Sequence, residues 1–334
     1  MTWRILVLAP LAEVLLRRMF EPLGRDIAAG VGVPERRDRA ALLAGMADAD
    51  LVVGDFTGEL AVDADAVAAA PYLAFVQMPS VGVDSCDLDA LVAAGVPVAN
   101  AAGANARSVS EWAVGAAFAL CRQLAWADRR VRAGDWPQRD LLGRGTRELH
   151  TQRIGVLGYG AIGAEAGRLF AALGCQVSYW SRRRRPDEEN AAGATYRDID
   201  DLLSTSDILV VAVPLTRETA GLLGADRLAL LPPGAMLVNV ARGGIVDEEA
   251  LLDALDAGRL SGAALDVFDA EPPPADHPLR AHEDVLLSPH VAGATVQAQL
   301  NIVSLVVDNI AAAVSGRPVR NVVNGVDPVI RRRR

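Results

Sequence analysis

The chain has 334 residues, of which 51% are hydrophobic, and it carries a formal net charge of −9 with no lysine at all. This length and composition allow a large buried core and favour two domains, while the negative charge argues against nucleic acid as the main partner. The absence of lysine excludes phosphate binding by a Walker-type P-loop and catalysis through a lysine Schiff base.

The N-terminal apolar run is too short for the core of a signal peptide, and no stretch reaches membrane-spanning length without interruption. The three cysteines, Cys86, Cys121 and Cys175, are widely separated. They indicate neither a disulfide framework nor a thiolate metal site. We therefore expect a cytoplasmic protein that binds no metal.

Residues 1 to about 100 alternate short apolar runs with alanine-rich helical stretches, which predicts an α/β lobe. A long helical pattern then runs from Ser108 to Ala133, and its apolar positions suit burial between lobes or subunits. The predicted strands of this lobe are 5–8, 51–53, 75–77 and 96–99.

A glycine-rich segment follows, in which Gly158, Gly160 and Gly163 fit the pattern G-x-G-x-x-G. In a dinucleotide site such glycines permit a tight turn, the approach of a pyrophosphate and close packing of helix on strand. The glycines alone are a weak signal, but an apolar run precedes them, and a helical stretch and a second apolar run, 176–180, follow. The segment therefore predicts a dinucleotide-binding turn made by Gly158, Tyr159, Gly160, Ala161, Ile162 and Gly163.

The end of the run 176–180 is where such a site reads the adenosine ribose. An acidic residue there would accept hydrogen bonds from the 2′-hydroxyl, but this chain has Ser181 followed by Arg182 to Arg185. A small polar residue with arginines favours a 2′-phosphate, although a charge run of this kind can also be only a solvated surface turn. We predict NADP(H) rather than NAD(H), bound through Ser181, Arg182 and Arg183, with the acids at 187–189 in a loop.

The remaining apolar runs, separated by helical stretches, fit a parallel sheet covered on both faces. They lie at 207–213, 235–240, 263–267 and 285–289. Asp247 can cap a helix that ends at Gly258. One more long helix is expected over 296–314, and the basic tail 331–334 is expected to be disordered.

Complementary side chains follow three of these strands, at the edge where an open α/β sheet binds its ligand. Arg242 can clamp a substrate carboxylate and polarise a carbonyl oxygen. His290 can exchange a proton with a hydroxyl group, and Glu271 can orient its ring. Each has a simpler explanation, as a turn cation, a histidine that ends a strand or a solvated acid. Their convergence favours oxidoreduction of an alcohol beside a carboxylate.

Several ordered motifs resemble those of the D-isomer-specific 2-hydroxyacid dehydrogenases, and the match covers nearly the whole chain. The stretches that carry the resemblance are 82–89, 95–100, 105–111, 213–219, 239–247, 264–272 and 289–295.

The resemblance implies an α/β protein with two Rossmann-like or flavodoxin-like lobes, each with a parallel sheet. Residues 1–100 and 291–334 would form a discontinuous substrate domain, and the dinucleotide-binding domain 101–290 would be inserted into it. Such enzymes are usually homodimers joined through the cofactor lobes and the long helix after residue 105.

The resemblance also implies site residues. Arg242, Glu271 and His290 would be the catalytic set. The substrate would be bound by Ser80, Val81 and Gly82, whose backbone would help hold its carboxylate, and by Arg242 and His290. The remaining cofactor contacts would come from Val213, Pro214, Thr219, Val240, Ala241, Arg242, Asp266, His290 and Gly293.

The differences from relatives refine the expected function. Most NAD-using relatives have aspartate at the position of Ser181, which supports NADP. Trp112 stands where many relatives have histidine, so the resemblance does not define the wall of the substrate pocket. Formate dehydrogenases typically have glutamine at the position of Glu271. We expect reduction of glyoxylate or hydroxypyruvate, with a dinucleotide-sensing co-regulator of the same fold as the alternative.

Overall fold

The computed structural model describes residues 2–333 and divides the chain into two compact units. One unit contains the residues up to Asn105 together with those from Val296 onward, and the other contains Ala106–Thr295. The sequence placed these boundaries after residues 100 and 290. The substrate and cofactor roles assigned to the two units remain predictions.

Five short strands form the parallel sheet of the first unit. They are β1 (Ile5–Val7), β2 (Val31–Gly32), β3 (Leu51–Val53), β4 (Phe75–Gln77) and β5 (Val98–Ala99). Their order, β2-β1-β3-β4-β5, is the flavodoxin-like order. The connecting helices are α1 (Glu13–Phe20), α2 (Arg25–Ala29), α3 (Arg39–Met46), α4 (Ala64–Ala68) and α5 (Leu88–Ala93).

Side chains that alternate along these strands fill two cores, one on each face of the sheet. Ile5 and Val7 pack in one core with Ile310 of the helix Val296–Val314, whereas Leu6 packs in the other with Met46.

The helix Val296–Val314 has the bounds predicted from the sequence. It is long and apolar enough to cross a membrane by length and composition alone, although Asp308 and Asn309 interrupt its apolar sequence. Its inner face packs in the first unit, where the buried Asn309 side chain donates to Gln77 Oε1 at 2.7 Å.

Seven strands form the parallel sheet of the second unit. They are β6 (Arg153–Leu157), β7 (Gln176–Trp180), β8 (Thr195–Tyr196), β9 (Ile208–Val211), β10 (Ala235–Asn239), β11 (Leu260–Leu265) and β12 (Val285–Leu287). The order β12-β11-β10-β9-β6-β7-β8 is the Rossmann order with one further strand. The predicted α/β class with two parallel sheets is confirmed.

Helices cover both faces of this sheet, as the apolar strands require. They are α6 (Ala106–Cys121), α7 (Leu124–Arg132), α8 (Gln138–Gly143), α9 (Ala161–Ala172), α10 (Pro186–Ala192), α11 (Ile199–Ser204), α12 (Ala225–Leu228) and α13 (Glu248–Asp256).

Two helix predictions were wrong in the second unit. The single helix expected over 108–133 is two helices, because Gln123 has a left-handed φ of 50° and the Cys121 carbonyl accepts the Arg147 amide at 2.8 Å. The acids at 187–189 lie in the first turn of α10 rather than in a loop. Pro186 begins that helix, and acids at a helix N-terminus complement its dipole.

The basic tail is also not the disordered end that we expected. Arg332 donates to the buried Asp50 carboxylate at 3.2 Å, and Arg333 donates to the carbonyls of Ala94 and Gly95 at 2.7 and 2.8 Å. These contacts fix both arginines on the first unit. The last residue of the tail, Arg334, lies outside the described residues.

Candidate active site

The strand order of the second sheet reverses beside β6, which lies between β9 and β7. Open α/β sheets bind ligands at the carboxyl ends of their strands, next to such a reversal. Gly158 follows β6 and Ser181 follows β7. The predicted phosphate-binding and ribose-binding residues therefore lie at adjacent strand ends.

The glycine turn fits a dinucleotide. Helix α9 begins at Ala161 and has no side-chain cap, so its first amide groups are available to an anion. A Cβ at Gly163 would stand 1.9 Å from the Gly158 carbonyl oxygen, so only glycine allows this close approach. At Gly160 an added Cβ would have no atom of the described residues within 4 Å apart from its chain neighbours, which leaves a cradle beside the helix terminus.

Tyr159 can contribute to this turn only through its backbone. Its side chain is 1% exposed and stacks on Tyr179 of β7, with ring centroids 3.9 Å apart. Burial raises the pKa of Tyr159 to about 12. Gly167 makes room for the ring, since a Cβ there would lie 2.5 Å from the hydroxyl.

The ribose-binding segment is held in a defined shape. Ser181 Oγ donates to the Arg183 carbonyl at 2.6 Å, and the Arg185 amide donates to the Tyr179 hydroxyl at 2.9 Å. Arg182 and Arg183 are exposed. Of the residues predicted to meet a 2′-phosphate, the two arginines thus lie open to solvent while the serine hydroxyl stabilises the turn.

Arg184 has a different environment from its neighbours. Its Nε and Nη2 donate to the two carboxylate oxygens of Glu189 at 2.7 and 2.9 Å, and the Tyr179 hydroxyl also donates to that carboxylate. These bonds hold the pKa of Glu189 below its ordinary value, with Arg184 as the largest cause. The Glu189 side chain is only 10% exposed and that of Arg184 is 64% exposed, so the pair joins the arginine segment to α10.

Two other predicted cofactor loops follow β9 and β10. Thr219 is buried and donates to the Pro214 carbonyl at 2.6 Å, so its hydroxyl shapes the loop after β9. The turn after β10 is shaped by the buried Asn239, whose side chain accepts from the Ala241 amide and donates to the Arg242 carbonyl, both at 3.1 Å. Val213, Val240 and Ala241 are buried, and Pro214 is exposed.

Arg242 lies three residues beyond β10, on a turn that contacts the segment after β11. The Gly244 amide donates to the Asp269 carboxylate, which joins the two. Arg242 Nη1 also donates to the Ala241 carbonyl at 2.7 Å. The Arg242 side chain is therefore carried by a turn that is fixed by Asn239 on one side and by Asp269 on the other.

Glu271 and His290 form a hydrogen-bonded pair. Their side chains are 36% and 45% exposed, and Glu271 Oε2 lies 2.7 Å from His290 Nδ1. The other carboxylate oxygen accepts the Phe268 amide at 3.0 Å, which fixes the rotamer. A carboxylate can only accept, so Nδ1 carries the proton and Nε2 is the nitrogen that can meet a ligand.

Asp266 holds the turn that carries His290. Its side chain is 1% exposed, and its carboxylate accepts from Ser288 Oγ at 2.5 Å and from the Val291 and Ala292 amides at 2.8 Å. His290 itself has a left-handed φ of 53°. Contact of Asp266 and of the nearby Gly293 with a cofactor remains a prediction.

The predicted substrate residues of the first unit follow β4. Ser80 Oγ donates to the Gly82 carbonyl at 2.7 Å, and the Asn100 side chain donates to the Val81 carbonyl at 2.7 Å. These bonds give the segment a fixed form. Trp112, in the second unit, packs half-buried against the core beneath α6.

Sequence reasoning missed the residues that position this site. Asn239 lies inside a strand, Asp269 between two residues already assigned, and Glu189 in a stretch read as a loop. Only the last had a usable signal, because proline followed by three acids is typical of a helix start.

Comparison with known proteins identifies relatives over most of the chain. The profile of D-isomer specific 2-hydroxyacid dehydrogenase, NAD binding domain, matches residues 114–292. A glyoxylate reductase from Aeropyrum pernix is 37% identical, over 79% of this chain and 80% of that protein. A D-3-phosphoglycerate dehydrogenase from Archaeoglobus fulgidus is 38% identical over 79% of this chain, but the match spans only 49% of that longer protein.

Solved structures show the same fold. The holo form of D-mandelate dehydrogenase from Rhodotorula graminis matches with a TM-score of 0.89 at 26% identity, covering 98% of this chain and 100% of that one.

Proposed function

The chain belongs to the D-isomer specific 2-hydroxyacid dehydrogenases, whose matched domain binds a nicotinamide dinucleotide, and we propose on this basis that it reduces a small 2-oxoacid with NADPH. The reaction would convert the 2-oxo group to a hydroxyl group by addition of a hydride and a proton. When bound, the reduced nicotinamide supplies the hydride. The turn 158–163 would hold its pyrophosphate.

The observation that carries this proposal is the Glu271–His290 pair at the strand edge that also holds Arg242. With Nδ1 bound to Glu271, His290 would donate a proton from Nε2 to the substrate oxygen, and the carboxylate would stabilise the charged ring. Arg242 would bind the substrate carboxylate through its planar guanidinium. Each side chain would thus act on a different atom of the same 2-oxoacid.

The preference for NADPH is supported by the end of β7. No acid stands at Ser181 to accept hydrogen bonds from a ribose 2′-hydroxyl, and two exposed arginines follow it. Arginine binds phosphate oxygens well in such a position.

Glyoxylate or hydroxypyruvate is the proposed substrate. Similarity to glyoxylate reductases from three archaea supports this choice, while similarity to phosphoglycerate dehydrogenases makes a phosphorylated 2-oxoacid the main competitor. Few polar side chains would be needed for so small a substrate beyond the arginine clamp and the proton donor.

Turnover assays test the proposal directly. The loss of nicotinamide absorbance is measured with glyoxylate, hydroxypyruvate, pyruvate and phosphohydroxypyruvate, each with NADPH and NADH. We expect turnover with the first two and a higher kcat/KM with NADPH. No turnover with any 2-oxoacid would overturn the proposed activity and favour a dinucleotide-sensing co-regulator. A higher kcat/KM with NADH would overturn the cofactor preference alone.

We also propose that the chain forms a homodimer in the cytoplasm. Large apolar side chains are exposed on and after α7, including Leu124 at 54%, Trp136 at 81% and Leu142 at 77%. Such exposure is typical of an interaction surface, and the resemblance implies a second copy as its occupant. Light scattering should give twice the chain mass, and Trp136→Glu should weaken the dimer. A monomeric wild type would refute this assembly.

A further inference from the structure

Glu248 is the first residue of α13, and its carboxylate reaches out of its own helix. Oε1 accepts the Asp269 amide at 2.9 Å, and Oε2 lies 3.0 Å from His277 Nε2. Both side chains of this hydrogen-bonded pair are largely buried, at 15% exposure for Glu248 and 19% for His277. Both hydrogen bonds of this buried carboxylate are therefore made to one neighbouring segment of the chain.

That segment, 269–277, carries Glu271 between its two anchor points. Glu248 therefore binds the segment on both sides of the residue that orients His290. The segment also contains three consecutive prolines, which provide no amide hydrogens to fix it from within. Its position depends on bonds to the rest of the second unit.

The same segment contacts the turn that carries Arg242. The Asp269 carboxylate accepts the Gly244 amide, while the Asp269 amide donates to Glu248. A Cβ at Gly243 would lie 2.0 Å from the Phe268 carbonyl oxygen, so turn and segment are in direct contact. Asp269 thus connects Glu248 to the arginine turn.

His277 completes the arrangement. With Nε2 donating to Glu248, Nδ1 is an acceptor, and it is buried with no hydrogen-bond partner among residues 2–333. Among the described residues, the imidazole is therefore hydrogen-bonded through Glu248 alone. A side chain at 277 that cannot donate would remove this link to α13 and leave the local bond of the His277 amide to the Pro274 carbonyl.

We propose that Glu248 is a positioning residue that, through Asp269 and His277, holds Glu271 in its hydrogen bond with His290. It touches neither substrate nor cofactor in this role, and the effect on turnover rests on the proposed function. An acid in the first turn of a helix also complements the helix dipole. That ordinary role would stabilise α13 without affecting the Glu271–His290 bond.

The neighbouring Glu249 provides a matched control, because it lies in the same first turn and is exposed. Replacing either acid by alanine removes the same charge from the same helix terminus. Only Glu248→Ala should remove the two anchors. His277→Leu should remove one anchor, and His277→Gln should retain a donor for Glu248.

The first measurement needs no substrate. The His290 Nδ1 proton, hydrogen-bonded to a carboxylate, gives a downfield proton resonance that can be assigned with His290→Ala, since the chain has only four histidines. We expect this resonance to be lost in Glu248→Ala and His277→Leu and retained in Glu249→Ala and His277→Gln.

The second measurement is turnover. Glu248→Ala should lower kcat about tenfold, part of what a proton donor contributes, with an unchanged KM for the cofactor. If the resonance and kcat survive in Glu248→Ala, or if only its unfolding temperature falls, the positioning role is wrong. If the wild type is inactive but the resonance still separates the two alanine variants, the proposed function fails and the positioning role stands. His277→Leu keeps the test available if Glu248→Ala does not fold.

Discussion

Arg184 should be dispensable for cofactor preference, although it belongs to the run of four arginines that suggested NADPH. Its guanidinium is bound in a bidentate pair to Glu189, and this carboxylate is nearly buried. Arg182 is exposed at the beginning of the run. Arg184→Ala and Arg182→Ala therefore remove the same charge, but from an arginine paired with Glu189 in one case and from an arginine available to a phosphate in the other.

The expected effects differ in size and kind. A charge-assisted hydrogen bond to a phosphate contributes about 1.5–3 kcal/mol, so Arg182→Ala should lower kcat/KM for NADPH roughly 10- to 100-fold and leave NADH unchanged. Arg184→Ala should change the ratio of the two cofactors by about twofold or less, because a charge already paired with a carboxylate is screened from a third group. It should instead lower the unfolding temperature, since the nearly buried Glu189 loses its cationic partner and keeps only the Tyr179 hydroxyl.

The assay is kcat/KM with NADPH and NADH for both variants and the wild type, together with thermal unfolding. Equal loss of NADPH preference in the two variants would show that Arg184 leaves Glu189 to bind the cofactor. Retention of full preference in Arg182→Ala would show that this arginine is only part of a solvated turn.

Four further predictions concern the rest of the second unit. His290→Ala should lower kcat roughly 100-fold or more with nearly intact cofactor affinity; wild-type turnover would mean that the proton donor is misassigned. Arg242→Lys should chiefly raise the substrate KM, because lysine lacks the planar fork; an unchanged KM would contradict the carboxylate clamp. Asp266→Asn should lower the unfolding free energy by about 1–3 kcal/mol and lower kcat, since an amide cannot accept all the hydrogen bonds that the carboxylate accepts. Urea unfolding and turnover measure the two effects, and unchanged values would refute the prediction. Hydrogen bonds from Arg168 and Arg107 lower the pKa of Glu165 from 4.5 to about 2, so its contribution to stability is complete above about pH 4.5 and is lost as the pH falls towards 2. The difference in unfolding free energy between the wild type and Glu165→Gln, about 1 kcal/mol at most, should therefore shrink over that pH range. Urea unfolding at several pH values measures this, and a constant difference would contradict it.

Apolar periodicity was sufficient to predict the longer strands of both sheets, because strands that are buried on both faces are continuous hydrophobic runs. It missed the two-residue strands β2 and β8, which are too short to show a pattern. It could not predict the break between α6 and α7. No glycine or proline stands at Gln123, and the helix ends there because the Arg147 amide takes the carbonyl of Cys121 from a distant part of the chain. A break caused by tertiary contacts leaves no local signal.

The candidate site was predictable where its residues follow strands directly. Parallel topology alone brings Arg242 and His290 to one edge of the sheet. Two residues of the supporting set were not predictable, because Asp269 and Glu248 accept from backbone amides of segments distant in sequence. Asn239 bonds only within its own turn, where it reads as the last residue of an apolar strand. Only the three-dimensional contacts distinguish these side chains from ordinary strand, loop and helix-terminal residues.

The backbone of His290 supports a chemical role more strongly than its place after a strand does. A non-glycine residue with φ of 53° costs about 1–3 kcal/mol, and glycine would adopt the same turn without that cost. Asp266 offsets the strain by accepting from a hydroxyl and two amides around the turn, and its own carbonyl accepts the His290 amide at 2.8 Å. A turn that served only to end β12 would need neither the imidazole nor a buried acid to hold it. A proton donor, in contrast, requires an imidazole in a fixed orientation. The strained backbone of His290 and the bond from Nδ1 to Glu271 together provide that orientation.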